Sequence, residues 1–147
     1  MRSRWLVVSA VAAAAVAAFA CKSKPTAPDP CGTGAPPSLV GSYTFQSYKV
    51  GTHTYAQPGS FGSLRFTDAT YIQIYTLPIG LGGVDSTISD TGSYFITGER
   101  CISQFSAVDT THFSGTFTLV TTSVQTTYTA TGSNGTEPVT WIWAKVN

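Results

Sequence analysis

The sequence predicts an all-β protein, a single antiparallel up-and-down barrel of about eight strands, and three observations carry that prediction. From Leu39 onward no window sustains the i, i+3, i+4, i+7 apolar spacing of a helix without Gly, Pro or Thr runs. Short alternating segments follow one another instead, separated by turn chemistry. Composition agrees: charged residues make up only 10% of the chain, and its abundant β-branched Thr fits a half-exposed pleated surface.

Taken in order, the first strand spans Gly41 to Val50. Tyr43 and Phe45 share one face while Tyr48 and Val50 fall on the other, so a bulge or sharp bend is expected near Gln46–Ser47. Gly51 to Gly59 reads as a loop, with Thr54-Tyr55 as a short extension. Phe61 to Phe66 follows, with Leu64 and Phe66 inward and Arg65 outward, and Thr67-Asp68-Ala69 turns the chain. In Thr70 to Leu77, Ile72 and Ile74 take one face and Tyr71, Gln73 and Tyr75 the other. Gly80, Gly82 and Gly83 make Pro78 to Gly83 the most flexible internal loop. Val84 to Ser89 reads as a short strand, and Ser93 to Thr97 continues or follows it. Gly98-Glu99-Arg100 then turns into Cys101 to Ser106.

The last third alternates most clearly. Phe113, Gly115, Phe117 and Leu119 point one way from the strand that ends at Val120, and Thr121-Thr122 turns it. In Ser123 to Thr131, Val124, Thr126, Tyr128 and Ala130 share a face. Asn134-Gly135 favours a type I′ hairpin into a final strand, Val139 to Val146, opened by Pro138. Trp141 and Trp143 lie on one face of that strand and Ile142, Ala144 and Val146 on the other. Both faces are apolar, so the outer one calls for cover by the N-terminal arm, another subunit or a partner. A sandwich would use the same strands, but closing the sheet removes exposed edges, which matters in a chain so poor in charge.

The N-terminus carries a different signal. Arg2 and Arg4 precede an apolar run from Trp5 to Ala20 that ends on Ala18-Phe19-Ala20-Cys21. A basic start, an apolar stretch and a small-residue cleavage site make residues 1–20 a signal peptide. As a membrane span the run is short against the ~20 apolar residues required. Ala20-Cys21 resembles the lipobox of bacterial lipoproteins, although Phe19 stands where that box has a small residue. The resemblance implies lipidation of Cys21, with an ordinary secretory cut after Ala20 as the alternative. Lys22 follows where many enterobacterial inner-membrane lipoproteins carry Asp, so the same resemblance implies the outer membrane of a bacterial envelope.

Residues 21–38 hold Pro25, Pro28, Pro30, Pro36 and Pro37 and read as a lipidated N-terminus and tether, with the barrel domain at 39–147. Three cysteines occur in all; with Cys21 lipidated, Cys31 and Cys101 remain as a natural pair in an oxidising compartment. A metal site is not expected, because no C-x-x-C occurs and His53 and His112 are isolated. Loss of Arg2 and Arg4 with the signal leaves six basic side chains against seven acidic ones, which gives no electrostatic reason to bind nucleic acid.

Gly41-Ser42-Tyr43 at the first strand and Lys145 near the end resemble the Gly-x-Trp and late basic residue of lipocalins. The resemblance covers Leu39 to Val146, and implies that the basic residue packs over the aromatic ring at the closed end of the barrel. It also implies a small hydrophobic ligand. An eight-stranded barrel is just wide enough to be filled by its own side chains or to hold one such molecule. Tyr43, Phe45, Leu64, Phe66, Phe113, Phe117, Trp141 and Trp143 are the candidate lining.

No catalytic role is expected, and no cofactor. Asp68, Asp85, Asp90, Glu99 and Asp109 all fall in expected turns or loops, and no nucleophile elbow, zinc-protease helix or phosphate loop occurs. A small inhibitor or interaction protein of the envelope, acting through loops such as 51–59 or 78–83, is the alternative to a ligand carrier.

Overall fold

The computed structural model describes residues 27–78 and 85–147. The signal peptide, Cys21 and most of the Gly-rich 78–83 loop therefore lie outside the described residues. Nine strands run β1 (Gly41–Val50), β2 (His53–Ala56), β3 (Phe61–Phe66), β4 (Thr70–Leu77), β5 (Ser86–Thr97), β6 (Cys101–Ser106), β7 (His112–Thr121), β8 (Thr126–Asn134) and β9 (Glu137–Lys145).

Each strand pairs antiparallel with its neighbour in the order β2-β1-β3-β4-β5-β6-β7-β8-β9, and β1 also pairs with β9. That last pairing closes the sheet. The first half of β1 pairs with β3 and its second half with β2, so β2 and β3 share one edge and together make one stave of an eight-stave barrel. The architecture is the closed antiparallel up-and-down barrel that the sequence predicts.

The bulge expected in β1 lies between Phe45 and Ser47, where the register against β9 shifts. A bulge leaves backbone groups without ladder partners, and here Gln57 supplies them: its side-chain Nε2 donates to the Phe45 carbonyl at 2.6 Å and its backbone N–H to the Gln46 carbonyl at 3.4 Å. The bulge turns Tyr48 back inward, onto Trp141.

One open alternative is decided, and two local expectations need correction. β5 is one continuous strand from Ser86 to Thr97. Its polar start shows no apolar alternation, and pairing with β4 and β6 along its length makes it a strand. Val124 does not share the face of Tyr128; it is 79% exposed in the turn that Thr122 closes by hydrogen bonds with Gln125. The β8–β9 hairpin pairs Asn134 with Glu137, leaving Gly135-Thr136 as its two-residue loop. Only Gly135 has positive φ there, at 62°, which is the type II′ arrangement rather than I′.

Strand direction gives the barrel two ends. At the tether end β1, β4, β6 and β8 begin, and there the arm is fastened. Cys31 and Cys101 form a disulfide with Cα atoms 4.8 Å apart. The Cys31 carbonyl accepts from the backbone N–H groups of Glu99 and Arg100 at 2.8 and 3.1 Å. Gly98, at φ 60°, lies with its backbone against Cys31 and Gly32, where a side chain would clash. Leu39, fully buried, closes this end, and its carbonyl accepts the Tyr43 hydroxyl at 2.8 Å.

Candidate functional site

The eight residues proposed as lining all belong to one buried cluster. Alternation places them inward, and β1, β3, β7 and β9 carry them to a common axis. They meet as a packed core. At the tether end Phe66 contacts Tyr43, Tyr94 and Tyr128 with ring centroids 5.9, 4.8 and 5.6 Å apart, in edge-on geometries. In the middle Phe45 stands edge-on to Trp143 at 5.4 Å. Toward the distal end Tyr48 stacks on Trp141 at 3.8 Å, and Tyr75 meets the same indole edge-on at 4.9 Å. Aromatic pairs of this kind add about 0.5–1.5 kcal/mol beyond burial. Tyr71, Tyr75, Tyr94, Tyr128 and Ile102 complete the core.

Lys145 behaves as the resemblance implies. It sits opposite Tyr43 in the β1–β9 ladder, with Nζ 5.9 Å from the ring centroid, within cation–π range. Burial, with Tyr94 nearby, raises the Tyr43 pKa. Tyr128 lies deeper, and its pKa is raised by burial and by Tyr43 and Tyr94. Its buried hydroxyl has no hydrogen-bond partner among the described residues.

Toward the distal end the interior becomes polar. A chamber of about 20 Å3 is lined by Tyr71 and Gln73 of β4, Asp90 of β5, Gln104 of β6, Phe113 of β7, Asn134 of β8, Trp141 of β9, and Thr111. The stagger of the strands brings these together: Tyr71, near the start of β4, is level with Gly92 of β5, and Gly92 with Ser106 at the end of β6. Asp90 is the hub. Its Oδ2 accepts from the Tyr71 hydroxyl at 2.7 Å and from Gln73 Nε2 at 3.2 Å, and its Oδ1 from the Ser106 hydroxyl at 2.6 Å. Burial first, then the bond to Asp90, raises the Tyr71 pKa and keeps the phenol a donor.

Asp90 thus corrects the expectation of a solvated turn carboxylate. It lies in mid-β5, paired with Gln73. The only sequence signal was the position of Gln73 between Tyr71 and Tyr75 on one face of β4; nothing marked Gln104 or Asn134.

Several grooves lie on the outer wall, among them two of about 360 Å3 or more in volume. One, of about 450 Å3, runs among Phe61, Ile74, Thr76, Thr44 and Gln57. The other, of about 360 Å3, lies between the arm at Pro36–Val40 and β5. Phe95 and Phe105 are 62% and 42% exposed on the outer face of β5 and β6, with the rings edge-on at 5.9 Å, and His112 stacks on Phe105 at 4.3 Å. On β9, Ala144 is buried and Ile142 half-buried while Val146 is exposed.

The sequence matches no known protein family, and no curated protein matches it. Among solved structures, H1 crustacyanin from the lobster Homarus americanus is similar, with a TM-score of 0.39 and 10% identity over 74% of this chain. The match spans 61% of that chain, less than two thirds of its length.

Proposed function

We propose that the protein is an exported, membrane-tethered lipocalin-like barrel of the bacterial envelope, a binder rather than a catalyst, which takes a small, largely apolar molecule at its distal end. The observation that carries this reading is the contrast within the barrel: Leu39 and a dense aromatic cluster close the tether end, while side chains from β4 to β9 converge on a small polar chamber toward the other. A ligand that places one small group in the chamber would rest against Trp141, which ties its binding to a spectroscopic signal. Titrating the protein with a neutral apolar dye should give a saturable change in tryptophan fluorescence. No change at saturating dye would overturn the reading.

The tether is part of the same proposal. Cys21 would carry the lipid, and the disulfide at Cys31 would fix the attachment to one end of the barrel, turning the distal end away from the membrane. Mass spectrometry of the mature N-terminus should find a diacylglyceryl adduct on Cys21; an unmodified thiol would refute it.

A second reading has its own observation. The exposed Phe95–Phe105–His112 row is an apolar surface suited to a protein partner, which fits an envelope inhibitor or interaction protein. Crosslinking in intact envelopes should capture a partner that the double variant F95S/F105S loses. An unchanged crosslink pattern would remove this surface from consideration.

A further inference from the structure

Resting on the reading of the distal end as a ligand site, we infer that the chamber recognises a cationic head group, a primary ammonium carried on a short apolar tail. Charge comes first. Asp90 places a carboxylate inside the barrel, and no Lys, Arg or His lines the chamber around it. Its three contacts come from neutral donors, the Tyr71 and Ser106 hydroxyls and the Gln73 amide. Asp90 is half-buried, and a partly desolvated carboxylate attracts a cation more strongly than a fully solvated one does.

The second observation is independent of Asp90. Gln104 is only 8% exposed and lines the chamber, so its side-chain amide is a second polar group presented there. An amide open to the chamber can accept from, or donate to, whatever group enters it. An ammonium group has three donors and no acceptor. It would donate to Asp90 and to the Gln104 carbonyl oxygen, with the Asn134 carbonyl as a third acceptor at the rim.

Size and surroundings narrow the class further. A space of about 20 Å3 holds one water-sized group, so a primary ammonium fits and a bulkier quaternary head does not. Trp141 and Phe113 supply aromatic walls, which favour a cation over an anion. A fatty-acid carboxylate would meet Asp90 with like charge, so anionic lipids are disfavoured.

The test compares n-hexylammonium with 1-hexanol, matched in tail and different in head charge, by calorimetry on the whole protein. Hexylammonium should bind saturably and at least tenfold more tightly than hexanol. Asp90→Asn should weaken hexylammonium at least tenfold and leave hexanol unchanged. Gln104→Leu, which leaves all three contacts of Asp90 intact, should weaken hexylammonium about threefold and decides the matter if Asp90→Asn does not fold. Equal binding of the two probes, or wild-type affinity in folded Asp90→Asn, would overturn the inference while leaving distal-end binding intact. If neither probe binds but the neutral dye does, the inference again fails alone. If nothing binds, the chamber is a water site and both readings fail.

Discussion

The two ends of this barrel are built from the same strands and solve opposite problems. At the tether end the chain packs ring against ring, with Leu39 as a plug, and nearly every polar group finds a partner: Tyr43 donates to Leu39, and Tyr94 donates to the Thr67 carbonyl at 2.7 Å. Tyr128 is the exception. Toward the distal end the packed rings give way to a half-buried carboxylate, Asp90, and the amides of Gln73, Gln104 and Asn134. Apolar burial is the main source of stability, so the tether end holds the fold. The distal end has polar interior groups left over for recognition.

The largest test of that division is the disulfide. Cys31→Ser with Cys101→Ser releases a separation of 70 residues, for which chain entropy predicts a loss of about 4 kcal/mol. Denaturant unfolding should show it, and hydrogen exchange should rise first in the arm and β6. A loss under about 1 kcal/mol would mean that the arm contributes little to closing the barrel.

Next is Leu39→Ala, expected to cost about 3 kcal/mol because the side chain is fully buried. Gln104→Leu at the other end should be neutral or stabilising, since it puts an apolar side chain of similar size at a largely buried position. If the two changes cost the same, the contrast between the ends is wrong.

A smaller effect should come from Tyr128→Phe, which removes a buried hydroxyl without a partner and should stabilise the protein by about 1 kcal/mol. Destabilisation would show that the hydroxyl is bonded in solution. The smallest concerns Asp109, exposed in the β6–β7 turn at the distal end. Hydrogen bonds from the Thr111 side chain and backbone lower its pKa below the ordinary 3.8. Its contribution is therefore complete above that value and is lost as pH falls through the lower, folded value. The stability difference between wild type and Asp109→Asn should stay constant from neutral pH down to pH 5 and vanish in stronger acid. A difference that already changes near neutral pH would assign the effect to another group.

Strand alternation made much of this legible in advance. The change of face between Phe45 and Tyr48 announced the bulge in β1, because a regular strand cannot put four large apolar residues on one face in that spacing. Phe113 and Phe117 were readable as core for the same reason. Of the distal chamber little was readable. Asp90 sits in a run of Ser, Thr and Gly that carries no period, so its environment is set by β4 and β6. Gln104 is an ordinary polar residue until the barrel closes and turns it inward, and Asn134 until it reaches the chamber's exposed rim.

The sequence by itself determined the class of fold, the pairing partners available to the cysteines and the aromatic character of the core, since these follow from local periodicity, composition and parity. Only the tertiary structure decided which end would be closed and where a charge would be buried. Stagger between strands brings Tyr71, Asp90 and Ser106 level, and that is a property of the closed sheet rather than of any one segment.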